Sequence, residues 1–326
     1  MQRRINLKLS VSLRTFFPSV YLKMIQRCYL EITNVCNLDC LFCPKTDRAK
    51  RMLKREEFED LTDKLQGKIR FLYFHLMGEP LLHPLLADFV ERAKDKGFVP
   101  VITTNGTRLS QAEKLIEAKP YKLQISLHAH EGNLREKALT QTLNADTDTD
   151  KAPSETLGLA DYMKQVACFA KAAAHAGIII ILRLWNQGGY DKENESVLQC
   201  LAQYFPQEQW RQRADGWKLC ENIYLEYDKM FQWPDIEKNS IPEKDFFCYA
   251  LRNQIGVLVD GTVVPCCLDH NGDIALGNLF EQDLDEILSS PRARAIYEGF
   301  SQHKATESLC QSCGYANFNK QYRKLS

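Results

Sequence analysis

The stretch EITNVCNLDCLFCP, residues 31–44, puts three thiols, Cys36, Cys40 and Cys43, within eight positions of one another. The whole chain has 326 residues and twelve cysteines. In a short secreted chain such a count would mean a disulfide framework. Here the start MQRRINLKLSVSLRTFFPSVYL is basic, but Arg14 and Pro18 interrupt its apolar run and no small-residue cleavage site follows. The expected compartment is the cytoplasm, where clustered thiols point to metal or redox chemistry.

Composition narrows the classes further. With 42 basic and 42 acidic side chains the charge is balanced, which argues against bulk attraction to nucleic acid or to a membrane surface. The longest aliphatic run, GIIIILRLW, is too short to span a bilayer and reads as a buried strand. At 44% hydrophobic, the length suits one large domain plus a smaller one.

Outward from the thiol loop, strand-like and helix-like patterns alternate. RCYLEITN, KIRFLYFHLM, FVPVITTN, YKLQISLH, IIIILRLW and NIYLEY read as six strands. Helical patterns fall over about 54–65, 84–97, 110–118, 160–177 and 193–205. This alternation implies parallel β/α units. Six are too few for a closed eight-fold barrel, leaving an open partial barrel or a doubly wound sheet. NADTDTDKAPSE, near 141–156, reads as an inserted, locally disordered loop that could gate substrate. The texture changes after Pro234: GVLVDGTVVPCC signals a hairpin around Asp260-Gly261, followed by short helices and a cysteine-rich tail. The expected division is an extension over 1–26, the β/α part over 27–234 and a small domain over 235–326. No internal repeat and no heptad pattern is present.

Polar residues collect where the strands end. The thiol loop follows the first strand, HLMGEP ends the second, TTNG the third, SLHAH the fourth, LRLWN the fifth and EYD the sixth. Loops at the carboxyl ends of parallel strands meet on one face, and that face holds the site. Cys-x3-Cys-x2-Cys suits an iron–sulfur cluster or zinc. A structural zinc normally takes four ligands, and no fourth Cys or His lies close by in sequence. A zinc knuckle with a distant fourth ligand is the rival reading.

CNLDCLFCP, with Cys36, Cys40, Phe42 and Cys43, and MGEP at 77–80 together resemble the radical S-adenosylmethionine (radical SAM) superfamily. Met77 stands where that motif has its first glycine. The resemblance extends through TTNGT and SLH. It implies a partial (β/α)6 TIM-like barrel and a [4Fe-4S] cluster on Cys36, Cys40 and Cys43 whose open iron chelates S-adenosylmethionine. One electron then yields a 5′-deoxyadenosyl radical that takes hydrogen from substrate. By position Glu79 is expected to accept from the cofactor's ammonium group, with Gly78 letting the backbone approach. Asn105 and Ser126 are expected at ribose or carboxylate, and Arg183 at the cofactor's carboxylate. The bland readings are a turn at Asn105-Gly106 and a rim arginine at 183.

A second thiol set, Cys248, Cys266, Cys267, Cys310 and Cys313, lies in the C-terminal part. Neighbouring side chains in an extended segment point to opposite faces, so one of Cys266 and Cys267 should ligate. The spacing resembles the SPASM and twitch extensions of the superfamily. It implies one auxiliary [4Fe-4S] cluster on Cys248, Cys266, Cys310 and Cys313. The same four cysteines would also make a structural zinc site. Cys28, Cys168, Cys200 and Cys220 read as small buried hydrophobes. His75, His128, His130, Tyr227 and Asp228 fall near the site face as substrate contacts, proton carriers or satisfied rim groups.

The expected function is a radical SAM oxidoreductase whose substrate radical passes an electron to the auxiliary cluster. A redox-neutral rearrangement or cyclisation, with that cluster anchoring substrate, is the second expectation. A zinc-stabilised binding protein is the rival from another class, and a bare electron carrier would not need six β/α units. Expected partners are a peptide or small-molecule substrate and a low-potential donor such as flavodoxin or ferredoxin. With the first strand near residue 27, no leader-peptide module is expected ahead of the barrel.

Overall fold

The computed structural model describes residues 25–40, 42–127, 158–187, 194–237 and 245–316. Along the chain run β1 (Arg27–Leu30), α1 (Arg55–Leu65), β2 (Phe71–Tyr73), α2 (Leu86–Asp95) and β3 (Val99–Thr104). Next come α3 (Glu113–Ala118), β4 (Lys122–Ser126), α4 (Leu159–His175), β5 (Ile179–Gln187) and α5 (Asn194–Tyr204). The strands β6 (Arg211–Arg213), β7 (Gly216–Cys220) and β8 (Ile223–Lys229) follow. The C-terminal part adds β9 (Gln254–Val257), β10 (Thr262–Val264), β11 (Gly277–Asn278), α6 (Leu284–Leu288), α7 (Pro291–Ser301) and α8 (Ser308–Gln311).

Six strands, β1, β2, β3, β4, β5 and β8, lie side by side in chain order, each parallel to the next. These are the six expected strands. Their alternation decides which face meets the helices. Cys28, Leu30, Leu72, Ile102, Leu123, Ile125, Ile180, Leu182 and Leu225 are buried on one side. Against them pack helix faces at three- and four-residue spacing, such as Leu86, Phe89, Val90 and Ala93 of α2. Each fully buried side chain of this kind contributes about 1.5–3 kcal/mol. The opposite face carries Tyr29, Tyr73, Thr103, Gln124, Ser126, Arg183 and Glu226, all only half-buried.

That polar face is concave. In a flat sheet β1 and β5, four places apart, would stand about 19 Å from each other. Yet the Arg183 charge on β5 acts on His75 beyond β2 and on Cys267, which Tyr29 of β1 touches. Curling toward the polar face closes this gap, as in a partial barrel.

Both edges of the parallel sheet continue. On one side β7 and β6 add antiparallel strands to β8. This hairpin is not among the sequence expectations, because Arg211–Arg213 is short, charged and exposed and shows no apolar alternation. On the other side β9 pairs parallel to β1, β10 antiparallel to β9, and β11 antiparallel to β10. The expected hairpin around Asp260-Gly261 therefore extends the main sheet. Gly261 has φ +85°, which a tight turn at Asp260-Gly261 requires. Among the described residues no helix is long and apolar enough to cross a membrane. His128, His130 and the expected loop at 141–156 lie outside the described residues.

Candidate active site and its two thiol sets

The loop after β1 is held from both ends. Glu31, fully buried, meets Arg48 through two parallel hydrogen bonds of 2.7 and 2.6 Å. Asn34 donates to the Ala49 carbonyl at 2.9 Å and accepts from the Arg51 amide at 2.8 Å. Between these ties Cys36 lies near Cys40 and Cys43, close enough that each ionised thiol would repel the others. Burial pushes Cys36 up to about 12 and Cys40 up to about 11. The Leu38 amide donates to the Cys36 sulfur at 3.5 Å, and Lys45 spans the Cys40 carbonyl and Asp39, each at 2.7 Å. Phe42 sits half-buried within the same loop.

The loop after β2 packs onto it. Gly78 has φ +78°, and a Cβ there would stand 2.4 Å from the Thr33 carbonyl oxygen. The glycine thus admits the backbone of the thiol loop. The adjoining Glu79 amide donates to the Val35 carbonyl at 2.8 Å. The Glu79 carboxylate is buried and turned toward β3, accepting from Thr104 Oγ1 at 2.6 Å, the Asn105 amide at 2.7 Å and the Leu81 amide at 2.9 Å. Burial raises its pKa, opposed by these donors. Three of its roughly four acceptor positions are thereby filled within the chain. One position on Oε2 is left for the ammonium group expected there. Asn105 is equally engaged: its Nδ2 donates to Asn37 Oδ1 at 3.0 Å and its Oδ1 accepts from both the amide and the hydroxyl of Thr107. Asn37 in turn donates to Thr107 Oγ1 at 2.8 Å.

Ser126, the last residue of β4, faces Arg183 in register midway along β5, which runs on to Gln187 beyond the strand end expected from the sequence. Arg183 is paired with Asp228 and adjoins Glu226 on β8, whose carboxyl is raised by burial. His75 completes the inner face. Burial, with help from the Arg183 charge, lowers its pKa to about 3. Its Nδ1 is shielded from solvent and has no hydrogen-bond partner among the described residues. Tyr29 and Tyr73 flank its ring at 5.4 and 5.8 Å.

The second thiol set is assembled from three segments. Cys266 lies within electrostatic reach of Cys248, Cys310 and Cys313, and Cys310 and Cys313 within reach of Cys248. Burial raises all four, Cys313 to about 11. Cys248 accepts from the Ala250 amide at 3.5 Å, the same arrangement as Leu38 on Cys36. Both Cys-x2-Cys pairs close the same short turn, Cys43 N–H onto Cys40 O and Cys313 N–H onto Cys310 O, each at 3.2 Å. Cys267 points the other way. Burial holds it up at about 12, Tyr29 packs beside it against the same apolar residues, and the Arg183 charge reaches it.

Donor chemistry tests the fit to metal. Buried thiols crowded this way would stay protonated alone, and a bound metal is what ionises them. The donor set fits a cluster in which each thiolate takes its own iron, with backbone amides of Leu38 and Ala250 on the Cys36 and Cys248 sulfurs. All twelve cysteines are free of disulfides. Of the four read as buried hydrophobes only Cys28 is buried; Cys168 is exposed, because it falls between the packed positions Ala167 and Phe169 on the outer side of α4.

Residues 30–144 match the family model described as radical SAM superfamily, and 248–314 match SPASM, an iron–sulfur cluster-binding domain. The chain thus carries a radical SAM domain followed by a SPASM domain. Its relatives include a tungsten-containing aldehyde ferredoxin oxidoreductase cofactor-modifying protein of Pyrococcus furiosus, 36% identical over 25% of this chain and 24% of that one. A GTP 3′,8-cyclase of Chlorobaculum tepidum is 36% identical over 30% of this chain and 31% of its own. The matches thus span about a quarter to a third of these curated relatives. In fold the chain is similar to a solved structure titled native anSMEcpe with bound AdoMet, at TM-score 0.54 and 13% identity over 92% of this chain and 96% of that one. The radical SAM and SPASM domains of this chain imply S-adenosylmethionine and [4Fe-4S] clusters as its cofactors.

The sequence reading missed several residues of the site. Glu31, Asn37, Thr104 and Thr107 hold its loops together, and Cys267 with Tyr29 lines its inner face. A polar residue inside the thiol loop marks Asn37. Nothing local marks Glu31, whose partners lie 17, 46 and 228 positions away.

Proposed function

We propose that this enzyme takes a hydrogen atom from a substrate held on the concave polar face and passes the remaining electron to the auxiliary cluster, a two-electron oxidation. The observation that carries this reading is the one face shared by both thiol sets: Cys43 and Cys267 pack against the same apolar group of Leu76, Met77, Leu258 and Val264. Cys266 is then one residue away from the reaction chamber. S-adenosylmethionine, when bound, supplies the 5′-deoxyadenosyl radical.

In this reading Cys36, Cys40 and Cys43 hold the cofactor-binding cluster, and Cys248, Cys266, Cys310 and Cys313 the auxiliary one, within a C-terminal part beginning near residue 235. Phe42 shields the first cluster. Gly78 and Glu79 fix the loop beside the cofactor's amino group, the carboxylate acting mainly by clamping β3 to β2. Asn105 fixes the facing loop through Asn37 and Thr107, while Ser126 and Arg183 meet the ribose and carboxylate. Substrate is a peptide or small molecule, the reductant a flavodoxin or ferredoxin, and the compartment the cytoplasm.

The test begins with iron and sulfide per chain after anaerobic reconstitution. Two four-iron clusters give about eight of each, and Ala at Cys36, Cys40 and Cys43 together leaves about four. Zinc without sulfide would overturn the radical reading. Product mass then decides the course: loss of two hydrogens marks oxidation, an unchanged mass the redox-neutral alternative. One observation favours that alternative, the free thiol of Cys267 inside the chamber.

A further inference from the structure

Glu226 of β8 stands on the concave face in the same row as Ser126 and Arg183, one strand beyond the arginine. The buried carboxylates elsewhere are well supplied with donors. Glu31 accepts from Arg48 twice and from the Met77 and Val259 amides. Glu79 accepts from three groups, and Asp269 from the amides of Gly272, Asp273 and Ile274. On the concave face itself Asp228 is paired with Arg183. Glu226 differs: it is half-buried, and among the described residues none donates a hydrogen bond to it or forms an ion pair with it. A carboxylate has about four acceptor positions, and here they are open to the chamber.

A second feature is independent of the carboxylate. The register neighbour of Glu226 on its far side is Gly216 of β7, so no side chain covers that flank. A Cβ at Gly216 would stand 2.0 Å from the Leu225 carbonyl oxygen, so the gap is built into the backbone. Arg213, next in the row, has its guanidinium over the Tyr224 ring, 4.9 Å from the centroid. Charge then selects what fills the space. Burial raises the pKa of Glu226, helped by Asp215, while Arg183, Lys122 and Arg213 act against it. With three cations already in electrostatic reach, a further cation would meet like charges, and an anion would meet the carboxylate. An uncharged donor satisfies the oxygens without adding charge.

We infer that Glu226 is the substrate anchor of this chamber, accepting a hydrogen bond from a hydroxyl of an uncharged substrate seated over Gly216. The inference rests on the radical reading above, in which Ser126 and Arg183 meet the cofactor, and it names the substrate class. Neighbouring strands lie about 4.8 Å apart, so a group held by Glu226 adjoins a cofactor held by Arg183.

The test uses reconstituted protein with S-adenosylmethionine and dithionite in ordinary water. Three probes deuterated on carbon are supplied in turn: glycerol, ethylammonium and acetate. Deuterium is read per molecule of 5′-deoxyadenosine formed. Glycerol should label the nucleoside in the wild type, and more strongly than either ion. Glu226→Ala should lower that labelling about tenfold, as expected for one lost hydrogen bond to a charged group. Glu226→Gln, of the same shape, should lower it less. Both variants should keep about eight irons and the wild-type Kd for S-adenosylmethionine, which a residue supporting the fold or the cofactor would not. Equal labelling by glycerol in wild type and Glu226→Ala would overturn the proposal. So would stronger labelling by ethylammonium or acetate, a Kd for S-adenosylmethionine that weakens in step, or nucleoside formed with no label from any probe. Failure of the wild type to form 5′-deoxyadenosine at all would instead remove the radical reading itself.

Discussion

Glu31 and Arg48 form a two-pronged ion pair inside the protein, the carboxylate wholly buried and the guanidinium 14% exposed. The same carboxylate accepts from the Met77 amide at 3.2 Å and the Val259 amide at 3.0 Å. Arg48 also donates to the His270 carbonyl at 3.1 Å. One pair therefore joins the thiol loop, the loop after β2 and the C-terminal hairpin. Glu31→Gln leaves the guanidinium without its counter-charge in the interior, at a cost of about 3–5 kcal/mol. Denaturant unfolding of the reconstituted protein should show that loss. Iron content should fall too, because the first thiol loop loses its anchor.

Gly78→Ala tests the contact between the first two loops. Its Cβ would sit 2.4 Å from a backbone oxygen and 2.9 Å from a backbone Cα, atoms that cannot rotate aside. The positive φ adds a strain of about 1 kcal/mol. The thiol loop must shift to make room. The expected outcome is loss of about four irons, with the other cluster retained. Full iron content in a soluble Gly78→Ala protein would show that this close approach is dispensable.

His75 sets a pH dependence whose sign is fixed by burial. Folding lowers its pKa from 6.5 to about 3, so the folded state binds fewer protons than the unfolded one. The stability it contributes is complete above the unfolded value, and falls away as pH drops from 6.5 toward 3. At about pH 5 the deficit is on the order of 2 kcal/mol. His75→Gln, which takes up no proton in this range, should flatten this part of a stability-versus-pH curve. Parallel curves for the two proteins would mean that another group carries the slope.

The architecture was legible because its signals are local. Period-two strands at Arg27–Leu30 or Ile179–Gln187 and period-3.6 helices such as Leu86–Asp95 announce themselves within a few residues, as does Cys-x3-Cys-x2-Cys. What stayed hidden depends on sequence-distant contacts. Glu79 reads as a cofactor contact by motif, but Thr104 and Asn105, 25 and 26 positions away, engage most of its carboxylate. Arg183 reads as a cofactor contact or a rim arginine until β8 brings Asp228 beside it. The doublet at 266–267 allowed one ligand, and only the curl of the sheet shows that its other sulfur faces Tyr29 and Arg183.

Arg183 offers the sharpest separation of a structural from a binding role. Its guanidinium is paired with Asp228, yet both side chains keep about a third of their surface open toward the concave face. If the fork also receives the cofactor's carboxylate, Arg183→Lys removes a planar two-point contact that lysine cannot copy. Hydrogen bonds to charged groups are worth about 1.5–3 kcal/mol, so the Kd for S-adenosylmethionine should rise about ten- to a hundredfold. Asp228→Asn would leave that Kd unchanged or lower it, since the competing carboxylate charge is gone. The pair itself, being partly exposed, contributes at most about 1 kcal/mol to stability, and neither variant should unfold readily. Calorimetric titration of the reconstituted protein with S-adenosylmethionine reads both effects. Equal weakening in the two variants would instead make the ion pair as a whole, and not the arginine fork, the feature that shapes the site.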